Sequence, residues 1–487
     1  MRATDHRTLV EGLQARWPEH RIGPGLDRER AILDLLGNPE RAYPVIQVAG
    51  TNGKGSTAIM IDSLLRAAGL WVGRYTSPHL VDLRERICID GEPVGVERFD
   101  EIWEQIAPMV RMVDEQHIDG IEPTFFEVMT AMAFATFADT PVDVAVVEVG
   151  LGGRWDATNV VDAQVAVVAP VAMDHMHILG DTLAKIAGEK AGIIKPVSSA
   201  VIAGQKPEAA QVLLAQCADV GVKPILEGPD FGLLDRRGAV GGQVIRIQTA
   251  GGPLGELFLP LFGEHMAHNA ALAVAAVETF MGGKPLNPEI IEQGLADVVA
   301  PARLEVVRRT PTIVLDTFHN PHGAHSAMAG LTEAFDLNPL VAVVAAMRDK
   351  DVDGVLSEMS EAVGRVVLTT MPELPRALPV AELDEIASKY WDADHRMTCP
   401  TVSQALEEAV RIADMSGPGA GVLVGGSAVL AGQARAILVP DGINHVHAGP
   451  QAVVETPQLS EEQIAAMEGE VLEPVEEDPT DGDEESW

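Results

Sequence analysis

The sequence predicts an α/β protein built on mainly parallel sheets that are covered on both faces. Short β-branched, apolar runs recur along the chain, each followed by a stretch of helical character. One of these runs, "YPVIQVAG" at 43–50, feeds straight into a glycine-rich turn and an amphipathic helix. Around residues 228–260 the pattern changes to short Gly-punctuated runs of antiparallel character, a small sheet appended to the first domain.

In chain order, the predicted strands are "YPVIQVAG", "VDVAVVEVG", "AQVAVVAPV" and "SSAVIAG", followed by "TPTIVLDT", "PLVAVVAAM", "GRVVLTTM" and "GVLVGG". All are apolar on both faces, as strands buried between two helix layers must be. The helix "STAIMIDSLLRAAG" ends on Gly69 and "EHMAHNAALAVAAVETFMGG" ends on Gly282, each a suitable C-cap. "DVVAPARLEVVRR" follows a helical stretch and precedes a fresh strand–helix series, which places a domain boundary near residue 300. The expected organisation is a P-loop domain at 1–300, a Rossmann-like domain at 301–450 and an acidic tail at 451–487.

Composition narrows the function classes. A chain of 487 residues is too long for one core, and 47% of it is hydrophobic. A formal charge of −37 argues against electrostatic attraction to nucleic acid or an anionic membrane. It leaves a nucleotide open, because a few placed cations and a metal reverse the local field. Residues 451–487 hold 13 carboxylates and no lysine or arginine, leaving −24 for the rest. Their composition predicts a solvated tail, with partner binding as the alternative. Cys88, Cys217 and Cys399 are scattered and in no metal-ligand spacing, and the N-terminus carries no apolar signal core. A cytoplasmic protein that is monomeric and spans no membrane is expected.

The turn "GTNGKGS" is a phosphate loop with unusual spacing: Gly55 separates Lys54 from Ser56. A strand before it and a helix after it are the context in which backbone N–H groups cradle phosphate. Gly50, Gly53 and Gly55 permit close approach, flanked by Thr51 and Asn52. Lys54 supplies charge, and Ser56 or Thr57 a hydroxyl near a metal. The plain alternative is a glycine-rich turn with an incidental lysine. Glu148 ends a predicted strand, where its carboxylate would face the phosphates or be a solvated tip.

Taken together, "GTNGKGS", "YTSPHL", "EVGLGGRWDATN", "MDHMHILG", "GEKAGIIK", "HNAALA", "PARLE" and "LDTFHNPHG" make the chain resemble the folylpolyglutamate synthase/dihydrofolate synthase family of Mur-type amide ligases. The resemblance runs in order from about residue 25 to 432. It implies ATP-dependent ligation of glutamate to dihydropteroate or to reduced folates through an acyl phosphate. ATP and magnesium at two sites are the implied cofactors, with a potassium ion as a further candidate. Magnesium ligands by resemblance are Ser77, Glu148 and His175, although imidazole is an unusual magnesium ligand and chemistry alone ranks Asp174 above it.

On the same ground Asn269, Arg303 and Asp316 contact the nucleotide, with His319 and Asn320 in the loop that follows. Two departures stand out: Pro301-Ala302-Arg303 where the family writes P-G-R, and Asp316-Thr317-Phe318-His319-Asn320 where it writes D-G-A-H-N. They imply a stiffer hinge and a bulkier loop. For the pterin, Asp27, Arg28, Thr124, Glu127 and Ala157 fall in matching stretches. Phe125, Phe126 and Trp155 could stack on its ring and Asp156 accept its amino hydrogens. "TFFEVMTAMAF" also reads as a plain buried helix. Ser427, at a strand-to-helix turn, is a candidate contact for glutamate or the acyl phosphate.

Lys190 completes the set. Leu183, Ile186, Ala187 and Lys190 share one helical face, whereas Lys185 falls between Asp181 and Glu189 at i±4. Burial would lower the Lys190 pKa, and a neutral amine can take up carbon dioxide; the resemblance places a carboxylated lysine here. A lysine snorkelling outward is the alternative. Rival functions are a related ligase acting on a cell-wall peptide precursor and a non-catalytic nucleotide switch. The tail is expected to be dispensable: truncation after Pro450 should leave Tm and both kinetic constants nearly unchanged. A loss of several degrees would mean that it docks.

Overall fold

The computed structural model describes residues 6–16 and 25–439. The acidic stretch 451–487 lies outside the described residues. Strands β1 (Val45–Ala49), β2 (Val72–Tyr75), β3 (Ile87–Ile89), β4 (Glu92–Pro93), β5 (Val144–Glu148), β6 (Val165–Val168), β7 (Ser199–Ile202) and β8 (Ile225–Leu226) form one sheet. Its order is β4-β3-β2-β5-β1-β6-β7-β8. β1 is central, pairing parallel with β5 on one side and β6 on the other, while β3 and β4 add an antiparallel edge. Every residue of β1, β5 and β6 is buried, as their unbroken apolar runs require.

β9 (Gly232–Ala239), β10 (Gly242–Thr249) and β11 (Gly252–Leu259) make the appended antiparallel sheet. The helix Glu264–Phe280 packs against this sheet and also against the helix Lys54–Ala67 that follows the phosphate loop. Its alanine-rich sequence is buried nearly all round, which is what a helix enclosed on several sides demands.

The second half carries β12 (Glu305–Arg309), β13 (Thr312–Leu315), β14 (Leu340–Val344), β15 (Arg365–Leu368), β16 (Arg396–Thr398) and β17 (Gly421–Gly425). The order is β12-β13-β17-β14-β15-β16, parallel except for the β12–β13 pair. Apolar clusters lie on both of its faces. Both sheets thus present the C-terminal ends of parallel strands, the edge at which α/β folds place ligands. β2, β3, β4, β8, β12 and β16 lie outside the predicted strands, because at two to five residues each they are too short to show a run.

Candidate active site

Loops from the two large sheets line one cavity of 780 Å³. On the first sheet, β1 runs into the phosphate loop and the helix begins at Lys54. Gly53 adopts φ 84°, and a Cβ there would come 2.8 Å from Asn269 Oδ1, so only glycine lets Asn269 lie on the loop. The loop is braced by Thr51, whose N–H donates to Pro170 O at 2.9 Å and whose hydroxyl donates to Ala172 O at 3.0 Å. Among the described residues the one hydrogen bond of Lys54 Nζ is within its own loop, donated to Thr51 O at 3.3 Å. Of the two hydroxyls on offer, Ser56 lines the cavity and Thr57 does not.

Glu148 ends β5 directly under this loop, with its Oε2 3.4 Å from where a Cβ on Gly55 would be. The carboxylate is buried, and its one hydrogen bond among the described residues is from the Ser77 N–H at 3.0 Å. Burial pushes its pKa up, with Lys54, the Ser77 amide, Arg303 and Arg74 pulling the other way. A buried, under-partnered carboxylate beside a hydroxyl and a phosphate loop fits magnesium, which takes one or two carboxylates plus phosphate oxygens. Among the described residues no three His, Cys, Asp or Glu side chains group into a cage able to hold a metal without such help.

His175 also lines the cavity, but its Nε2 lies 3.1 Å from Lys350 Nζ. Burial, then the Lys350 charge, lower its pKa to about 3, so the ring is neutral and able to ligate. Asp174, ranked above it on chemistry, is held by protein donors instead. Burial raises its pKa, yet the His319 contact and the Lys350 charge bring it well below the usual carboxylate range.

Lys190 is buried at the cavity wall, donating to Gly50 O at 2.7 Å. Burial, reinforced by the Lys54 charge, lowers its pKa to about 7. Its helix is locked by the Gly150–Gly153 turn: Arg154 N–H donates to Glu189 O at 2.9 Å, and a Cβ on Gly153 would come 2.7 Å from the same oxygen. Lys185 is the solvated one, paired with Asp181 at 2.7 Å.

From the second half come Arg303, Asp316, His319 and Ser427. Ala302 and Leu304 on either side of Arg303 have φ 51° and 49°. Alanine therefore occupies a left-handed position that glycine adopts freely, a strain of about 1–2 kcal/mol. Asp316 receives the Leu304 N–H at 2.9 Å and the Phe318 N–H at 2.8 Å, which ties this linker to the end of β13. Phe318 is buried, because Gly425 opposite leaves room: a Cβ there would lie 2.3 Å from its ring. His319 Nδ1 contacts Thr317 O at 3.0 Å, leaving Nε2 as the nitrogen free of a backbone bond. Ser427 caps its helix, accepting from Val429 N–H at 3.2 Å.

The acceptor candidates divide. Thr124, Phe126, Glu127, Trp155, Asp156 and Ala157 line the cavity; Asp27, Arg28 and Phe125 do not. Phe125 is part of the core beneath β2 and β5. Arg28 is fully buried, paired with Glu127 and Asp119 at 2.9 Å each, while Asp27 sits outside, 3.3 Å from Arg30. Thr124 and Glu127 form a reciprocal capping box, a signature legible in "TFFE" that explains both residues structurally. Asp156 likewise caps a turn, accepting from the Leu151 and Thr158 amides at 2.8 and 3.0 Å. Trp155, 49% exposed, is free to stack. Unanticipated from the sequence are Lys350, Arg348 and Arg376, which add cations to the second wall from loops without a phosphate-binding pattern.

Two family models match this chain: the Mur ligase middle domain over residues 101–277 and the Mur ligase, glutamate ligase domain over 302–428. The chain is 44% identical over 453 residues to the dihydrofolate synthase/folylpolyglutamate synthase of Mycobacterium tuberculosis, covering 88% of this chain and 93% of that protein. The fold superposes on Mycobacterium tuberculosis folylpolyglutamate synthase complexed with ADP at a TM-score of 0.85 and 43% identity, over 89% of this chain and 98% of that one. An Escherichia coli FolC structure in complex with DHPP and ADP matches at a TM-score of 0.78 and 30% identity, over 90% and 99% of the two chains.

Proposed function

The chain belongs to the dihydrofolate synthase/folylpolyglutamate synthase family of Mur-type ligases, and from that premise we propose that it joins L-glutamate to dihydropteroate and to reduced folate glutamates, using ATP. One observation carries this reading: the phosphate loop and Glu148 of the first sheet open into the same cavity as Arg303, His319 and Ser427 of the second. A nucleotide switch needs only the first set; acyl transfer needs both.

The chemistry follows from that juxtaposition. The acceptor's carboxylate oxygen takes the γ-phosphoryl group, forming an O–P bond as the bond to ADP breaks. The phosphate-loop amides and Lys54 hold the phosphates, and Arg303 meets the transferring group from the other wall. Glu148, Ser77 and His175 would hold magnesium, which supplies charge neutralisation at the phosphates. The amine of glutamate then attacks the acyl carbon and phosphate leaves. In this reading His319 Nε2 receives the proton released from nitrogen, and Ser427 donates to the developing oxyanion. Phe126 and Trp155 offer faces to the pterin. Arg348 and Arg376 are paired with Glu382 and Asp349 respectively.

The described residues contain no helix long and apolar enough to cross a membrane. The three cysteines are buried and unbonded, which suits a reducing compartment, and a cytoplasmic monomer is the reading we adopt. The test is one assay offering dihydropteroate, tetrahydrofolate and tetrahydrofolate monoglutamate in turn, with products weighed. Each acceptor should gain one glutamyl residue as ADP is released. ADP release that needs neither glutamate nor acceptor would establish the switch, and ligation confined to a cell-wall peptide precursor the other ligase.

A further inference from the structure

Asp174 follows β6 in the first half of the chain, yet three of its partners come from the second. Its Oδ1 accepts from Lys350 Nζ at 2.8 Å and from the His175 N–H at 2.8 Å. Its Oδ2 accepts from Asn320 Nδ2 at 3.0 Å and lies 3.6 Å from His319 Nε2. The side chain is only 9% exposed. Asn320 extends the junction to the phosphate loop: its Nδ2 donates to Asn52 Oδ1 at 3.1 Å, and its Oδ1 accepts from Asn52 Nδ2 at 3.4 Å and from Gly323 N–H at 2.8 Å. One carboxylate thus gathers the loops after β13 and β14 onto the first half, beside the phosphate loop.

We propose that Asp174 is a closure latch, a positioning residue that holds the second half of the ligase over the phosphate loop. Other contacts between the halves differ in kind. Arg236 pairs with Glu333 at 2.8 Å on the partly exposed surface, and Phe262 meets Phe335 with ring centroids 4.8 Å apart. Asp174 is the more enclosed charge among them; when the halves part it keeps the His175 N–H but loses Lys350 and Asn320. Opening leaves each of these groups to find water, so the ion pair biases the equilibrium towards the shut state. Shutting brings His319 to the reacting groups, and Asn52 makes the latch responsive to what occupies the phosphate loop.

The kinetic arm of the test rests on the ligase reading; the scattering arm does not. Asp174→Asn and Lys350→Met would be made singly and together in the full chain. Small-angle scattering would be recorded with and without magnesium and a non-hydrolysable ATP analogue, beside calorimetric nucleotide affinity and steady-state kinetics. The parent should contract on adding nucleotide. Both single variants should bind it within about threefold of the parent, fail to contract, and lose ~10–100-fold in kcat. The double variant should be no worse than the poorer single one, since both remove the same contact. A single variant that contracts like the parent would overturn the proposal, as would a loss confined to nucleotide affinity or additive losses in the double. Should Asp174→Asn not fold, Lys350→Met, which leaves the first half intact, decides by the same scattering criterion. A parent that contracts but ligates no glutamate would sink the ligase reading while leaving the latch standing.

Discussion

Lys54→Ala is expected to abolish ligation while leaving the chain folded, with turnover down ~10²–10³-fold or more. Among the described residues its one hydrogen bond is to Thr51 O in its own loop, so its removal strands no hydrogen-bond partner elsewhere. What disappears is the cation at the start of the helix, where the terminal phosphates would sit. Glu148→Ala should be as damaging to turnover for the complementary reason, loss of the buried carboxylate suited to a metal. Its effect on Tm should be small, because the mutation removes a charge that burial disfavours and leaves only the Ser77 N–H to be satisfied. Near-normal turnover by either variant at saturating ATP and magnesium would remove the site from this cavity.

Lys190→Ala should cost a comparable factor in turnover, about 10²-fold, and short carboxylates such as acetate should restore part of it. In the proposed modification the neutral amine would attack carbon dioxide, forming a nitrogen–carbon bond as one proton leaves for solvent. The buried amine titrates at about 7, against 10.5 for an ordinary lysine, so its neutral fraction rises as pH passes through 7 and carbamate loading rises with it. With ¹³C-labelled bicarbonate, a carbamate carbon resonance should be present in the parent and missing from the variant. Burying the ammonium disfavours the fold fully below about 7, and this cost fades as pH rises towards 10.5. Parent stability to urea should therefore gain on that of Lys190→Met across this window. Full activity in Lys190→Ala without carboxylate, or an absent resonance, would sink the modification.

The long apolar strands, the phosphate loop and the appended sheet were legible because each is written locally, whereas the buried β2 (Val72–Tyr75) was not, being short and carrying a glycine and an arginine. A run apolar on both faces can only lie between layers, and "GTNGKGS" sets strand, turn and helix within a dozen residues. Lys190 was legible for the same reason, since helical periodicity alone puts it on the apolar face. Legibility failed at "TFFE" and "WDA", where residues matched to a pterin site also serve as caps. The capping box was written in the sequence, but which of the two uses a polar side chain serves depends on where it points. The resemblance also grouped Asp27, Arg28 and Phe125 with the cavity, whereas none of the three lines it.

By itself, then, the sequence determined what lies along each strand–turn–helix unit, because hydrophobic period, glycine placement and capping are short-range properties. Only the tertiary structure decided what crosses between units. Lys350 meets Asp174 from 176 positions away, Asn320 meets Asn52 from 268, and the room for Phe318 exists because Gly425 lies opposite. No local pattern encodes such pairs. They arise where the C-terminal edges of two separately built sheets come to face one another, and it is the packing of the halves that brings them together.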